Sequence, residues 1–136
     1  WLERIKVFEG FRKHAYLDAV GVPTIGYGST RGVKLGDVTT EPAATARLNL
    51  ELAGYLVAVL KLCPVNLNRA ELDALVDFAY NLGASKLRAS TLRQKLLRGE
   101  YEDAAEEFVR WVYAGGRKLP GLVIRRLAER GRFLES

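Results

Sequence analysis

Two carboxylates and a hydroxyl, Glu9, Asp18 and Thr24, fall within the stretch E-G-F-R-K-H-A-Y-L-D-A-V-G-V-P-T-I-G-Y-G-S-T, residues 9–30. Glycoside hydrolysis is a reaction that needs two carboxylates in different protonation states. One protonates the leaving oxygen and the other activates a water or attacks the sugar. Glu9 suits the acid, since it is expected at a helix C-terminus on the edge of an apolar stripe. Partial burial and the negative end of a helix dipole both disfavour its anion there. Asp18 lies between glycine-containing polar turns, where water has access, and Thr24 brings a hydroxyl to hold that water. From spacing alone, a Glu and an Asp among sixteen acids read first as solvated surface charges.

The elements that must position these residues follow from apolar periodicity and chain breakers. Leu2, Ile5 and Phe8, spaced three apart, predict a helix leading into Glu9. Gly21, Pro23, Gly26 and Gly28 then exclude helix, while Tyr16, Val22, Ile25 and Tyr27 suit short strands. Arg31 to Asp37 is expected as a third short strand or a loop closing this sheet. Thr39 or Thr40 caps a long helix with Glu41 and Pro42 in its first turn. Ala44, Leu48, Leu52, Tyr55, Leu56 and Val59 keep its period up to Cys63, and Pro64 stops it. A helix of about 20 residues spans roughly 30 Å, long enough to join a sheet lobe to a second lobe.

Asn68 followed by Glu71 has capping-box spacing and opens the next helix, which Gly83 is expected to end in a left-handed cap. Ser90 begins T-L-R-Q-K-L-L-R, which Gly99 ends. Glu100 to Tyr113 is expected as a helix with Ala104, Ala105, Phe108, Trp111 and Val112 inward, and a last helix runs from about Pro120 to Leu134. Everything after Thr39 is expected to be helical. The fold class is therefore α+β, mostly α. A small N-terminal three-stranded sheet lobe covers about 13–37, a connecting helix about 40–61, and a helical lobe about 65–136 together with the N-terminal helix.

The 136 residues suit one domain, and a chain of this size buries roughly 68% of its unfolded surface without staples. The single cysteine, Cys63, excludes an intrachain disulfide, and its apolar setting K-L-C-P-V marks a buried structural thiol. With one cysteine and the lone His14 there is no zinc-ligand spacing, and neither a metal nor another cofactor is expected. The formal charge of +5 favours polyanions, among them nucleic acid, anionic lipid and a bacterial wall. No run approaches the ~20 apolar residues of a membrane span, and the start lacks the pattern of a secretory signal. The chain has no methionine and opens on Trp1.

Glu9, eight residues, Asp18, five residues, Thr24 and then I-G-Y-G resembles the catalytic signature of the phage-type lysozymes, the endolysins of the T-even and lambdoid kind. The flanks E-G-F-R, A-Y-L-D and P-T-I-G-Y-G match as well. So do F-A-Y-N-L-G, A-S-T-L, W-V-Y-A-G-G, L-P-G-L-V and R-R-L-A-E-R, in that order, so the resemblance covers nearly the whole chain. It implies a lysozyme-like fold and hydrolysis of the β-1,4 bond between N-acetylmuramic acid and N-acetylglucosamine in peptidoglycan, causing bacterial lysis. Glu9 is then the general acid, and Asp18 with Thr24 activates water with inversion.

The resemblance also points to Thr30, Tyr80, Asn81 and Thr91 as sugar contacts lining a cleft between lobes. Tyr80 is equally suited to core packing, and Thr91 to a helix first turn. An arginine of the last helix is implied to hold Glu9, Arg125 first and Arg126 second. Ile124 stands where relatives often have a basic residue. Ser29 stands where they often have histidine, a change expected to affect local stability more than chemistry. Trp111 is expected in the core. The implied partner is bacterial peptidoglycan, and a monomer is expected, with no nucleic acid and no stable membrane insertion. Synthesis in the host cytoplasm and action on the wall in the periplasm are implied, any export or anchoring segment lying outside these residues.

Two readings come from other classes. Residues 68–98, with Lys86, Arg88, Arg93, Lys95 and Arg98 after a glycine turn, suggest a DNA-binding helix-turn-helix. The A-S-K-L-R-A-S link is too long for that motif's three-to-four-residue turn. A wall-binding module without catalysis would keep the cleft and tolerate loss of both acids.

Overall fold

In the computed structural model, which describes residues 1–135, the first helix α1 (Leu2–Glu9) stops where Gly10 turns to φ 71 and donates its N–H to Lys6 O at 2.9 Å. The strand β1 (Arg12–Leu17) then pairs antiparallel with β2 (Pro23–Gly26), placing Tyr16 opposite Thr24 and Leu17 opposite Pro23. The expected third strand is reduced to a single bridge between His14 and Val38, flanked by Ala15 N–H to Asp37 O and Thr39 N–H to Lys13 O. Gly32 and Gly36, with φ of 71 and 99, instead bend residues 31–37 into successive turns.

The chain divides into two units, Trp1–Ala53 and the remainder from Gly54. In the first, Ile5, Ile25, Tyr27, Val33, Ala44 and Leu48 are buried. The Glu41 carboxylate ties its parts together, taking Lys6 Nζ at 2.8 Å, Thr45 Oγ1 at 2.8 Å and Tyr27 Oη at 3.1 Å. Lys6 is the main reason that carboxyl is held below its ordinary range, and burial, then Glu41, push the Tyr27 phenol up.

The long helix α2 (Glu41–Leu62) begins as expected at Thr40, whose Oγ1 accepts the Ala43 N–H at 3.3 Å. Of its predicted inner stripe, Ala44, Leu48 and Val59 are buried, whereas Leu56 is exposed along with Leu50, Val57 and Leu60. By length and composition α2 reaches the minimum for crossing a bilayer, with a mean hydropathy of 1.2. Against the sequence expectation of no such run, only Arg47 and Glu51 place charges between Pro42 and Leu60.

The second unit is helical apart from one hairpin. The helix α3 (Arg69–Leu82) opens with the predicted reciprocal cap: Asn68 Oδ1 accepts the Glu71 N–H at 2.8 Å, and Glu71 Oε1 accepts the Asn68 N–H at 2.7 Å. Gly83 ends it with φ 99 and ψ 147, a positive-φ extended residue and not the expected left-handed cap. The A-S-K-L-R-A-S link is for the most part a short helix, α4 (Ala84–Ala89). Ser90 Oγ then caps α5 (Thr91–Leu97) through the Arg93 N–H at 3.0 Å.

The helix α6 (Tyr101–Glu107) is shorter than expected, giving way to a 3-10 turn over Phe108–Arg110. The expectation of helix throughout is overturned by a hairpin of β3 (Tyr113–Ala114) and β4 (Arg117–Lys118). Its tip is Gly115-Gly116 at φ 59 and 76, the mirror-image turn that closes a two-residue hairpin. Phe78 makes edge-on contacts with Phe108 at 5.6 Å and Trp111 at 5.5 Å, placing Trp111 against the core as expected. The last helix α7 (Pro120–Phe133) packs on α3 and turns Arg125, Arg126, Glu129 and Phe133 inward. Leu127 is 52% exposed.

Candidate active site

Antiparallel pairing carries β1 into a turn that Asp18 itself closes. Its Oδ1 accepts the N–H groups of Val20 at 3.0 Å and Val22 at 2.8 Å. Its backbone N–H donates to Val22 O at 3.0 Å, and Gly21, at φ 83, donates its N–H to Asp18 O. A side chain that accepts from its own turn is held in place. Because Tyr16 lies opposite Thr24, strand alternation puts Asp18, two residues on from Tyr16, on the same face as Thr24. Diagonal neighbours of this kind lie about 7–8 Å apart.

Thr24 is buried, and its Oγ1 donates to Val22 O at 2.9 Å. With its proton committed, the hydroxyl oxygen faces a newcomer as an acceptor. Glu9 is the last residue of α1 and half-buried. Thr30 is exposed, and beside it Ser29 is buried with its Oγ donating to Glu51 Oε1. Serine at this position therefore anchors the loop to α2. Glu9, Asp18, Thr24 and Thr30 all belong to the first unit.

The remaining candidates belong to the second unit. Tyr80 is half-buried with its ring edge-on to Tyr55 at 5.5 Å, and Thr91 is the exposed first residue of α5. Arg125 and Arg126 are both buried. Arg125 grips Asp77 through Nε and Nη2, while Arg126 Nη2 donates to Asn81 Oδ1 and to Glu129 Oε2, each at 2.8 Å.

Asp77 and Glu129 were not picked out by residue spacing. A lone acid inside A-L-V-D-F-A, and an acid three residues after Arg126, were the available signals. Burial and a hydrogen bond with Asp77 push the Glu129 carboxyl well above its ordinary range, with Arg126 acting the other way. Among the described residues no cluster of three or more His, Cys, Asp or Glu could hold a metal ion. Cys63 is buried, and its thiol is pushed up by that burial.

A phage lysozyme family model matches residues 6–129. The chain belongs to the phage lysozyme family. Relatives include the endolysin of Acyrthosiphon pisum secondary endosymbiont phage 1, 37% identical over 95% of this chain and 91% of its own length. The endolysin of Salmonella phage P22 is 36% identical over 98% and 94%. Among solved structures, the muramidase domain of SpmX from Asticaccaulis excentricus superposes with a TM-score of 0.92 at 32% identity, covering 99% of this lysozyme and 95% of that chain. Family membership makes this lysozyme a glycoside hydrolase with the α+β, mostly helical fold read from its sequence.

Proposed function

We propose that this lysozyme hydrolyses the β-1,4 bond between N-acetylmuramic acid and N-acetylglucosamine in peptidoglycan, with Glu9 as general acid and Asp18 with Thr24 activating the water. The observation that carries the reading is the hydrogen-bond state of the hairpin. Asp18 Oδ1 is occupied by two backbone N–H groups and the Thr24 proton by Val22 O. Asp18 Oδ2 and Thr24 Oγ1 therefore remain as two acceptors on one face. A water that gives one proton to each is left with a lone pair aimed away from the hairpin. As it adds to the anomeric carbon, Asp18 takes its proton while Glu9 gives one to the departing oxygen, so charge balances across the step. Thr30, Tyr80, Asn81 and Thr91 are proposed sugar contacts, and the periplasm is the proposed place of action.

Lysis of chloroform-treated Gram-negative cells, followed by turbidity, tests this. A general acid contributes about 10²- to 10⁴-fold, so Glu9→Gln is expected to lose at least that much while still folding. Folded Glu9→Gln that lyses cells at near the wild-type rate would falsify the assignment.

A further inference from the structure

Resting on the reading of Asn81 as a sugar contact, we propose that Arg126 is a positioning residue that fixes the Asn81 side-chain amide as a hydrogen-bond donor to the acetamido carbonyl of the bound saccharide. Arg126 is fully buried, with its guanidinium 5.4 Å from the centre of the Phe78 ring. Its Nε and Nη1 have no hydrogen-bond partner, and Nε lies 2.7 Å from Glu129 Oε1 without the alignment of a hydrogen bond. All its directed bonding passes through Nη2, to Glu129 Oε2 and Asn81 Oδ1.

A guanidinium has donors only. The Asn81 atom facing it must therefore be oxygen, because the flipped amide would set NH₂ against an N–H of a fully buried guanidinium. This leaves Nδ2, with its two protons, as the outward end of a half-buried side chain near the end of α3. A group that only donates distinguishes poorly among hydroxyls, which serve either way. It selects for an acceptor without a proton, and the acetamido carbonyl is the group of this kind that an N-acetylated sugar carries and a plain one lacks.

Binding of N-acetylglucosamine tetramer and of its deacetylated counterpart, titrated by NMR against the full chain, reads the donor assignment. Asn81→Asp keeps the oxygen facing Arg126 and loses the donor. It is expected to fold normally, to bind the acetylated tetramer about tenfold more weakly, and to bind the deacetylated one no more weakly than wild type. If Asn81→Ala and Asn81→Asp both bind as wild type does, Asn81 is not a sugar contact and the underlying reading falls with the inference. If only Asn81→Ala weakens binding, the oxygen makes the contact and the donor assignment is wrong.

Positioning is read by kinetics on wall fragments. Arg126→Lys is expected to raise KM with kcat kept, and to add nothing in an Asn81→Ala background. A full additional increase there would overturn the positioning role while leaving Asn81 a sugar contact. Glu129→Gln, which preserves shape but loosens the hold on Arg126, takes the place of Arg126→Lys in the same cycle if that variant does not fold.

Discussion

Arg125 and Asp77 face each other through two parallel hydrogen bonds, Nε to Oδ2 at 3.1 Å and Nη2 to Oδ1 at 2.8 Å, with both side chains buried. A forked pair fixes orientation as well as distance, so α7 cannot rotate against α3 without breaking both bonds. Removing the Asp77 carboxylate takes both of these bonds from a guanidinium that is itself buried. Asp77→Ala is expected to cost about 3–5 kcal/mol in urea denaturation. A loss well below about 1 kcal/mol would mean that water or another acid replaces the carboxylate.

The two helix faces make a second contrast. Leu75 is fully buried on α3, whereas Leu127 is 52% exposed on α7. Leu75→Ala is expected to cost about 2–5 kcal/mol, a range set partly by cavity mutants of a phage lysozyme and so not independent of this family. Leu127→Ala is expected to stay within about 0.5 kcal/mol. Equal losses at the two sites, measured by thermal unfolding, would contradict the assigned faces.

Glu129 predicts a dependence on pH. Its carboxyl in the folded chain lies above the ordinary value of 4.5, so folding retains a proton that unfolding releases. Its contribution to stability is fully present below about that ordinary value and is lost as pH rises through the folded one. Glu129→Gln has no proton to lose, so its melting temperature relative to wild type is expected to climb across that interval. A gap that narrows with rising pH would instead mean an ionised Glu129 paired with Arg126 throughout.

Asp18→Asn separates the turn from the chemistry. The amide oxygen can accept the same two N–H groups, so the hairpin is expected to fold unchanged while lysis falls sharply. For the water to fit, the carboxyl groups of Glu9 and Asp18 should lie about 6.5–9.5 Å apart, against about 5–5.5 Å for a nucleophile. The first product from wild-type enzyme, examined by NMR at once after cleavage, is then the α-anomer, and Thr24→Glu is expected to trap an adduct or change the anomer. A β-anomer, or a wild-type adduct by mass spectrometry, would recast Asp18 as a nucleophile.

Local signals were legible wherever one residue type has one structural use. The Asn68–Glu71 cap, the Thr40 start of α2, its stop before Pro64 and the Ser90 cap all appear where their chemistry predicts. The hairpin at 113–118 was not seen, because a Gly115-Gly116 pair alone does not tell a tight turn from a break between helices, and the strands beside it are two residues each. α4 has six residues, too few to show a helical period. On α7 the apolar rule inverts: the inward side carries Arg125, Arg126 and Glu129, whose partners sit on α3 or one turn away, while Leu127 is exposed. Glu9, Asp18 and Thr24 stood out only as a motif, since nothing in their spacing alone marks them off from surface charge.

Behind the hairpin, Gly26 is buried at φ 64, and a Cβ there would lie 3.0 Å from Ala44 Cβ and 3.8 Å from its Cα. The first turn of α2 thus approaches the end of β2 as closely as one methyl group allows. Enlarging either residue would push strand and helix apart, and Gly26→Ala adds a backbone conformation that L-residues resist. Shrinking Ala44 to glycine would relieve the crowding but not the handedness, so the two positions cannot simply exchange sizes. Drift in sequence at this seam is therefore confined to pairs as small as the one present, and the strand that carries Thr24 inherits its placement from an absent side chain.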